Sequence, residues 1–135
     1  MSQLKTLALI DDDEIIVYLT QRIVSETKLV DLIQVFRNGK EAIDYIVENK
    51  NNPQLLPEII FLDLSMPIMD GWEFLENYIG LKNEIEKSII IYVITSSTSS
   101  EDMKRVKNIK EVSDYLVKPV TKAQFISVIN QLHLS

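Results

Sequence analysis

Short apolar runs alternate with amphipathic stretches along the whole chain. The apolar runs predict five strands, over residues 5–10, 32–36, 58–63, 89–94 and 113–117. Residues 89–94 are rich in β-branched side chains and have no polar alternation, which is typical of a strand covered on both faces. The pattern therefore favours a buried sheet over an open one with a wet face.

Helices are predicted between these strands, because apolar residues recur there three or four positions apart. The predicted inward stripes are Ile16, Leu19 and Ile23; Ala42, Ile43, Ile46 and Val47; Trp72, Leu75 and Ile79; and Phe125, Ile129 and Leu132. Successive strand–helix units predict an α/β, doubly wound fold, a five-stranded parallel sheet with helices on both faces. Right-handed crossovers limit the strand order to a few possibilities without choosing one. Residues 48–58 are predicted to be a surface connection.

Length and composition exclude several classes of protein. At 135 residues the chain has room for one domain, which we expect to span residues 1–135 with no output domain. Its net charge of −6 argues against a nucleic-acid partner and against an anionic membrane. The N-terminus predicts neither a signal peptide nor a membrane anchor, and we expect a cytoplasmic protein. The absence of cysteine excludes disulfides and thiolate chemistry.

Polar residues follow the apolar runs at the ends of four predicted strands. Asp11 and Asp12 follow the first strand and Asp63 ends the third, while Thr95 and Lys118 follow the fourth and fifth. Ligands of open α/β sheets bind beyond the carboxyl ends of the strands, so these side chains are expected to form one site. A buried carboxylate such as Asp63 is costly unless it is paired.

The predicted charges at this edge call for a cation. Two carboxylates about 4 Å apart repel by roughly 4 kcal/mol at an effective dielectric constant near 20. The only histidine is His133, so the available ligands are oxygens, which favour Mg²⁺. A metal, a lysine and a hydroxyl around a carboxylate predict transfer of a phosphoryl group to that carboxylate. A simpler role, capping of the first helix, is expected for Asp13.

Two common kinds of active site are excluded by missing motifs. None of the three glycines lies in the first strand–helix turn, so there is neither a phosphate-binding P-loop nor a dinucleotide fingerprint. That turn is acidic and would repel a pyrophosphate. There is also no Gly-x-Ser-x-Gly elbow with a histidine base, which argues against a serine hydrolase.

Several segments together carry a family resemblance. They are Leu-Ile-Asp-Asp at residues 9–12, Asn-Gly-Lys-Glu-Ala at 38–42, Phe-Leu-Asp-Leu-Ser-Met-Pro-Ile-Met-Asp-Gly at 61–71, Val-Ile-Thr-Ser at 93–96 and Tyr-Leu-Val-Lys-Pro at 115–119. Over essentially its full length the chain resembles the CheY-like receiver domains of two-component response regulators, of the stand-alone type. The resemblance implies a flavodoxin-like fold with strand order 2-1-3-4-5.

The resemblance also implies a metal site around a phosphoacceptor. Asp63 resembles the phosphoacceptor and Asp12 a direct metal ligand. Asp11 resembles an acid that holds the metal through water, and Ser65 stands where a backbone carbonyl ligates it. The implied metal is Mg²⁺, for which Mn²⁺ can substitute.

A second group of residues resembles the switch of the family. Thr95 and Lys118 match the groups that bind the phosphoryl oxygens, and Pro119 matches the proline of a cis peptide bond. Tyr115 matches the aromatic residue that turns inward behind the moved threonine. Together they imply that the surface of the fourth helix, fifth strand and fifth helix changes on phosphorylation.

The implied function is signalling rather than enzymatic turnover of a substrate. The expected donor is a sensor histidine kinase or a histidine phosphotransfer protein, and the expected receiver of the signal is an unknown downstream protein. We expect a monomer, with phosphorylation-dependent dimerisation left open. One alternative is a receiver-fold binding module that works without phosphate. Another is an aspartyl-phosphate phosphatase, which needs a second acid at the position of Ser65.

Some positions depart from the family pattern. Ser65 and Ser97 are smaller than the residues often found beside the path of the attacking water, so the lifetime of the phosphorylated state stays open. Residues 108–114 lack the Gly-Ala usual before the last strand. This makes the fourth helix and the turn after it the hardest part of the chain to predict.

Overall fold

Five strands alternate with five helices in the computed structural model, which describes residues 4–96 and 99–134. The strands are β1 (Leu4–Ile10), β2 (Val30–Phe36), β3 (Ile59–Asp63), β4 (Ile90–Thr95) and β5 (Val112–Val117). The helices are α1 (Glu14–Thr27), α2 (Gly39–Glu48), α3 (Gly71–Leu81), α4 (Ser100–Lys107) and α5 (Lys122–Leu134). Ser97 and the side chain of His133 lie outside the described residues.

The strands form one parallel sheet in the order β2-β1-β3-β4-β5, which confirms the predicted fold class and strand order. β3 lies at the centre, between β1 and β4. Its last residue, Asp63, pairs in register with Ile94 of β4, and Leu62 pairs with Ile10 of β1. The ends of β1, β3 and β4 therefore meet at one edge, where the predicted site residues lie.

The sheet separates two apolar cores. All five residues of β3 are buried, and they alternate between the two sides. Ile60 and Leu62 pack toward α2, α3 and α4, whereas Ile59 and Phe61 pack toward α1 and α5. A strand covered on both faces has no place for a polar alternation, which is why these strands read as continuous apolar runs.

The inward stripe of α5 agrees with the sequence pattern, and that of α2 agrees except at Val47, which is 42% exposed. The stripes of α1 and α3 do not agree. In α1 the buried residues are Thr20 and Val24, while Leu19 is 38% exposed. Residues 15–19 of α1 are all apolar or aromatic, so their spacing does not single out one face. In α3 the buried stripe includes Phe74 and Tyr78, and the predicted Ile79 is exposed.

The connection between α2 and β3 lies mostly at the surface, as predicted, and it is also ordered. It contains a 3₁₀ turn at Pro53–Leu55, and the next residue, Leu56, is fully buried. The ammonium of Lys87 donates hydrogen bonds to the carbonyls of Pro53 (3.1 Å) and Leu56 (2.9 Å). The Tyr45 hydroxyl donates to the carbonyl of Leu55 at 2.7 Å.

Within residues 4–96 and 99–134, no helix combines the length and the apolar character that a membrane span requires.

Candidate functional site

A buried ion-paired group joins the ends of β1, β3 and β5. The ammonium nitrogen of Lys118 lies 2.9 Å from Asp11 Oδ2 and 3.1 Å from Asp63 Oδ1. The three side chains are only 7–11% exposed. Residues more than fifty positions apart are thus brought together, as expected for strand ends of a parallel sheet.

In the turn from β1 to α1, the neighbouring aspartates Asp11 and Asp13 make different contacts. Asp13 caps the helix, since its Oδ1 accepts hydrogen bonds from the backbone N–H groups of Ile15 (3.0 Å) and Ile16 (3.1 Å). Asp11 Oδ1 accepts the N–H of Asp13 at 2.9 Å, which leaves Oδ2 for Lys118. The helix cap predicted for Asp13 is confirmed, and the Asp11 carboxylate points to the ion-paired group.

Three carboxylates converge at this edge. One oxygen from each of Asp11, Asp12 and Asp63 lies within 4.8 Å of the others, with Asp12 exposed and the other two buried. The single ammonium of Lys118 does not neutralise three acids, so the group keeps an excess of negative charge. An oxygen-only set that is negatively charged and open on one side fits a hard divalent cation.

Burial and charge shift the titration of this group. Burial, followed by the negative charge of Asp11, raises the pKa of Asp63 from 3.8 to about 6, although Lys118 and a backbone hydrogen bond from Ser65 oppose the rise. Burial on its own would lower the pKa of Lys118, but its hydrogen bond to Asp11 and the charges of both carboxylates raise it above 10.5. Lys118 is therefore a permanent cation at neutral pH, and the Asp63 carboxylate is mostly ionised there.

The loop after Asp63 is fixed by close backbone contacts. A Cβ atom added to Gly71 would lie 2.4 Å from the Asp63 carbonyl oxygen and 2.8 Å from Leu64 Cα, so only glycine fits. Asp70 and Glu73 form a capping box at the start of α3. Between them and Asp63, Ile68 is 76% exposed and has a φ of +67°, an uncommon backbone conformation for a β-branched residue.

Thr95 lies beside this group at the end of β4. It is buried, and its carbonyl accepts the backbone N–H of Lys118 at 2.9 Å, which ties the ends of β4 and β5 together. A groove between α3 and α4 leads to Asp63. Its described lining includes Ser65, Met66, Trp72, Thr95 and Asp102. The peptide bond between Lys118 and Pro119 is cis, as the sequence resemblance implies.

Two aromatic rings near the site are in contact with cationic side chains of α4. The sequence did not predict these contacts. The guanidinium of Arg105 lies 3.9 Å from the centre of the Trp72 ring. The ammonium of Lys107 lies 5.8 Å from the centre of the Tyr115 ring, which is half-buried. No periodicity signals such contacts, because each joins a helix to a different element of the fold.

Comparison with known proteins identifies the class of protein. The family model described as "Response regulator receiver domain" matches residues 7–130. The chain therefore belongs to the receiver-domain family of response regulators. Among curated relatives, the "Probable methanogenesis regulatory protein FilR2" of Methanothrix harundinacea is 31% identical over 113 residues, which cover 84% of this chain and 71% of that protein.

Other relatives are longer proteins. The chain is 29% identical to the protein-glutamate methylesterase/protein-glutamine glutaminase of Desulfotalea psychrophila, but the match covers only 31% of that protein. What this relative shares with the chain is therefore a receiver-sized part of its length.

Solved structures agree with the fold. The two-component response regulator from Cytophaga hutchinsonii superposes with a TM-score of 0.88 at 26% identity, and covers 98% of this chain and 99% of its own. The Mn²⁺-bound form of response regulator Rcp1 has a TM-score of 0.72 at 27% identity, and covers 93% of this chain and 90% of its own.

Proposed function

We propose that this chain is a phosphoacceptor response regulator, in which a phosphohistidine donates its phosphoryl group to Asp63. The donor would be a sensor histidine kinase or a histidine phosphotransfer protein. The observation that carries the proposal is the Lys118 ammonium held between the buried carboxylates of Asp11 and Asp63. The protein would act as a switch that catalyses only its own phosphorylation and dephosphorylation.

A divalent cation belongs to this proposal, Mg²⁺ with Mn²⁺ able to replace it. The converging oxygens of Asp11, Asp12 and Asp63 support it, and so does the Mn²⁺ bound by Rcp1. Asp12, Asp63 and the backbone carbonyl of Ser65 would be direct ligands, with Asp11 acting through water. When bound, the cation supplies positive charge that offsets the phosphoryl oxygens.

Three side chains would have separate roles in the phosphoryl transfer. An ionised Asp63 oxygen forms a bond to phosphorus while the bond from phosphorus to the donor imidazole nitrogen breaks, and that nitrogen keeps the electron pair and takes a proton from solvent. Lys118 is already within 3.1 Å of Asp63, so its charge is available to a phosphoryl oxygen without a large movement. Thr95 would donate its hydroxyl to another oxygen.

The switch follows from the charge that the modification adds. A phosphoryl group brings about −1.5 to −2 charge and three acceptor oxygens to this edge. Lys118 and Thr95 are already joined through their backbones, so a shift of either reaches the loop before α4. Repacking of Tyr115 would then change the surface of α4, β5 and α5 for a separate downstream protein.

The test is metal-dependent labelling with a small phosphodonor such as acetyl phosphate. We expect labelling of the parent protein with Mg²⁺, none with chelator, and none for Asp63→Asn. Asp44→Asn is the matched control, because Asp44 is an exposed acid that pairs with Lys40 on α2. The proposal fails if Asp63→Asn labels as well as the parent, or if chelation has no effect.

A further inference from the structure

Within the described part of the chain, cations that form no ion pair are concentrated in and just after α4. Of the 14 lysines and arginines in the chain, seven form ion pairs: Arg22, Arg37, Lys40, Lys50, Lys82, Lys118 and Lys122. Within the described residues, the other seven have no carboxylate at ion-pair distance. Four of those seven fall within seven consecutive positions: Lys104, Arg105, Lys107 and Lys110. We call these four residues the α4 basic patch.

The patch is exposed and two of its members are held in place. All four residues are exposed. Arg105 stacks on Trp72 of α3, and Lys107 lies over Tyr115 of β5, so cations are fixed on both sides of the helix. A cation placed on an aromatic ring has lost part of its side-chain freedom before a ligand arrives, which lowers the entropy cost of binding.

Stability of α4 accounts for only part of this arrangement. Lys104, Arg105 and Lys107 lie in the last turn of α4, where they complement the helix dipole, whereas Lys110 lies beyond the end of the helix. Val106 is the one residue of α4 that is fully buried, and its two neighbours in sequence are the stacked cations. The helix dipole leaves all four of these cations exposed to a ligand.

We infer that the α4 basic patch binds an acidic, aspartate- or glutamate-rich segment of a protein partner. A protein of net charge −6 repels a long polyanion such as DNA, whereas a short acidic segment needs to meet only the local cations. An anionic membrane is disfavoured as well, because the apolar residues among these cations, Val106 and Ile109, pack into the core and offer no anchor.

This inference deepens the proposed function, on which it rests for its regulation. Trp72 and Thr95 line the groove that leads to Asp63. Tyr115 lies on β5, three residues before Lys118. The patch therefore lies on the element whose position phosphorylation of Asp63 would change. The downstream partner of the proposed switch would therefore bind the α4 basic patch through an acidic segment of its own.

The experiment measures binding of a short fluorescent glutamate-rich peptide to the full chain by anisotropy. We expect saturable binding that weakens as salt rises, and about tenfold weaker binding for the Lys104→Gln/Lys107→Gln variant. The matched control is Lys5→Gln/Lys28→Gln, which removes two exposed cations that lie outside the patch. A glutamine version of the peptide should not bind, and thermal unfolding should show that both variants are folded.

Three results would overturn the inference: no binding by the parent, equal losses in patch and control variants, or tighter binding of duplex DNA or phosphatidylserine vesicles than of the peptide. Acetyl phosphate with Mg²⁺ should change peptide affinity several-fold in the parent and leave it unchanged in Asp63→Asn. If the peptide binds at the patch but phosphodonor has no effect on any variant, the proposed switch fails while the acidic-segment site stands.

Discussion

At the scale of single residues, the site depends on how closely backbone and side chains approach at the edge of the sheet. Asp63 and Asp11 are 5% and 7% exposed as residues, and each reaches the same ammonium. The strand positions of these acids could be read from the chain, since each follows an apolar run. Their shared contact with Lys118 depends on the strand order, which the apolar pattern does not specify.

Substitution of Gly71 tests how tightly this edge is packed. In Gly71→Ala, the new methyl group would meet the Asp63 carbonyl at 2.4 Å and must displace the backbone next to the Asp63 side chain. We expect the free energy of unfolding to fall by about 1–3 kcal/mol, as in overpacked cores, together with slower labelling of Asp63. Urea denaturation and acetyl phosphate labelling measure the two effects.

The control for this substitution lies in the same helix. A Cβ added to Gly80 meets nothing within 4 Å, so Gly80→Ala should stabilise the protein by up to about 1 kcal/mol through helix propensity. No loss of stability in Gly71→Ala, or the same change in both variants, would contradict the packing argument.

At the scale of elements, strands were easier to predict than helix faces. A strand buried on both sides needs only a continuous apolar run, and β3 and β4 meet that condition. The inward face of α1 is ambiguous because apolar residues surround its first turns, and packing against the sheet makes Thr20 and Val24 the buried pair. The order in the α2–β3 connection comes from Lys87, which lies more than thirty residues away from its carbonyl partners.

An ion pair that joins two elements supplies a pH-dependent test. Glu111, just before β5, accepts a hydrogen bond from Lys82 at the end of α3, and that bond lowers the pKa of Glu111 below 4.5. Because the pKa in the folded state is lower than in the unfolded state, the stabilisation is fully present above the unfolded value. It is lost as the pH falls through the folded-state pKa.

We therefore expect Glu111→Gln to lower the free energy of unfolding by about 1 kcal/mol at neutral pH, and by less in acid. Denaturant titrations at several pH values measure this difference. Glu84→Gln is the control, since the Glu84 side chain is 54% exposed in its pair with Lys50, against 13% for Glu111. A pH-independent loss, or the same loss in both variants, would refute the assignment.

At the scale of the whole molecule, the candidate site links distant parts of the chain, so its ligand should stabilise the fold. A ligand that binds only the folded state at a hundredfold excess over its Kd adds about 2.7 kcal/mol to the free energy of unfolding. We expect Mg²⁺ to raise the midpoint of thermal unfolding of the parent, and to have little effect on Asp12→Asn.

Asp12 suits this test because it is exposed and its loss should leave the packed core intact. Asp44→Asn, which removes an exposed acid of α2, should respond to Mg²⁺ as the parent does. If Mg²⁺ stabilises Asp12→Asn as strongly as the parent, the cation acts elsewhere on this acidic protein, and the metal site proposed here is wrong.

The amino-acid sequence by itself predicted the strands, the α/β class and the motif residues of the site. Buried strands and strand-end acids leave local patterns in the sequence. The resemblance to receiver domains supplied the order β2-β1-β3-β4-β5, which the structure then confirmed. Only the tertiary structure decided which helix faces are buried, how Lys118 meets both carboxylates, and where Arg105 and Lys107 stack. Those features depend on contacts between segments far apart in the chain, and such contacts leave no local periodicity to read.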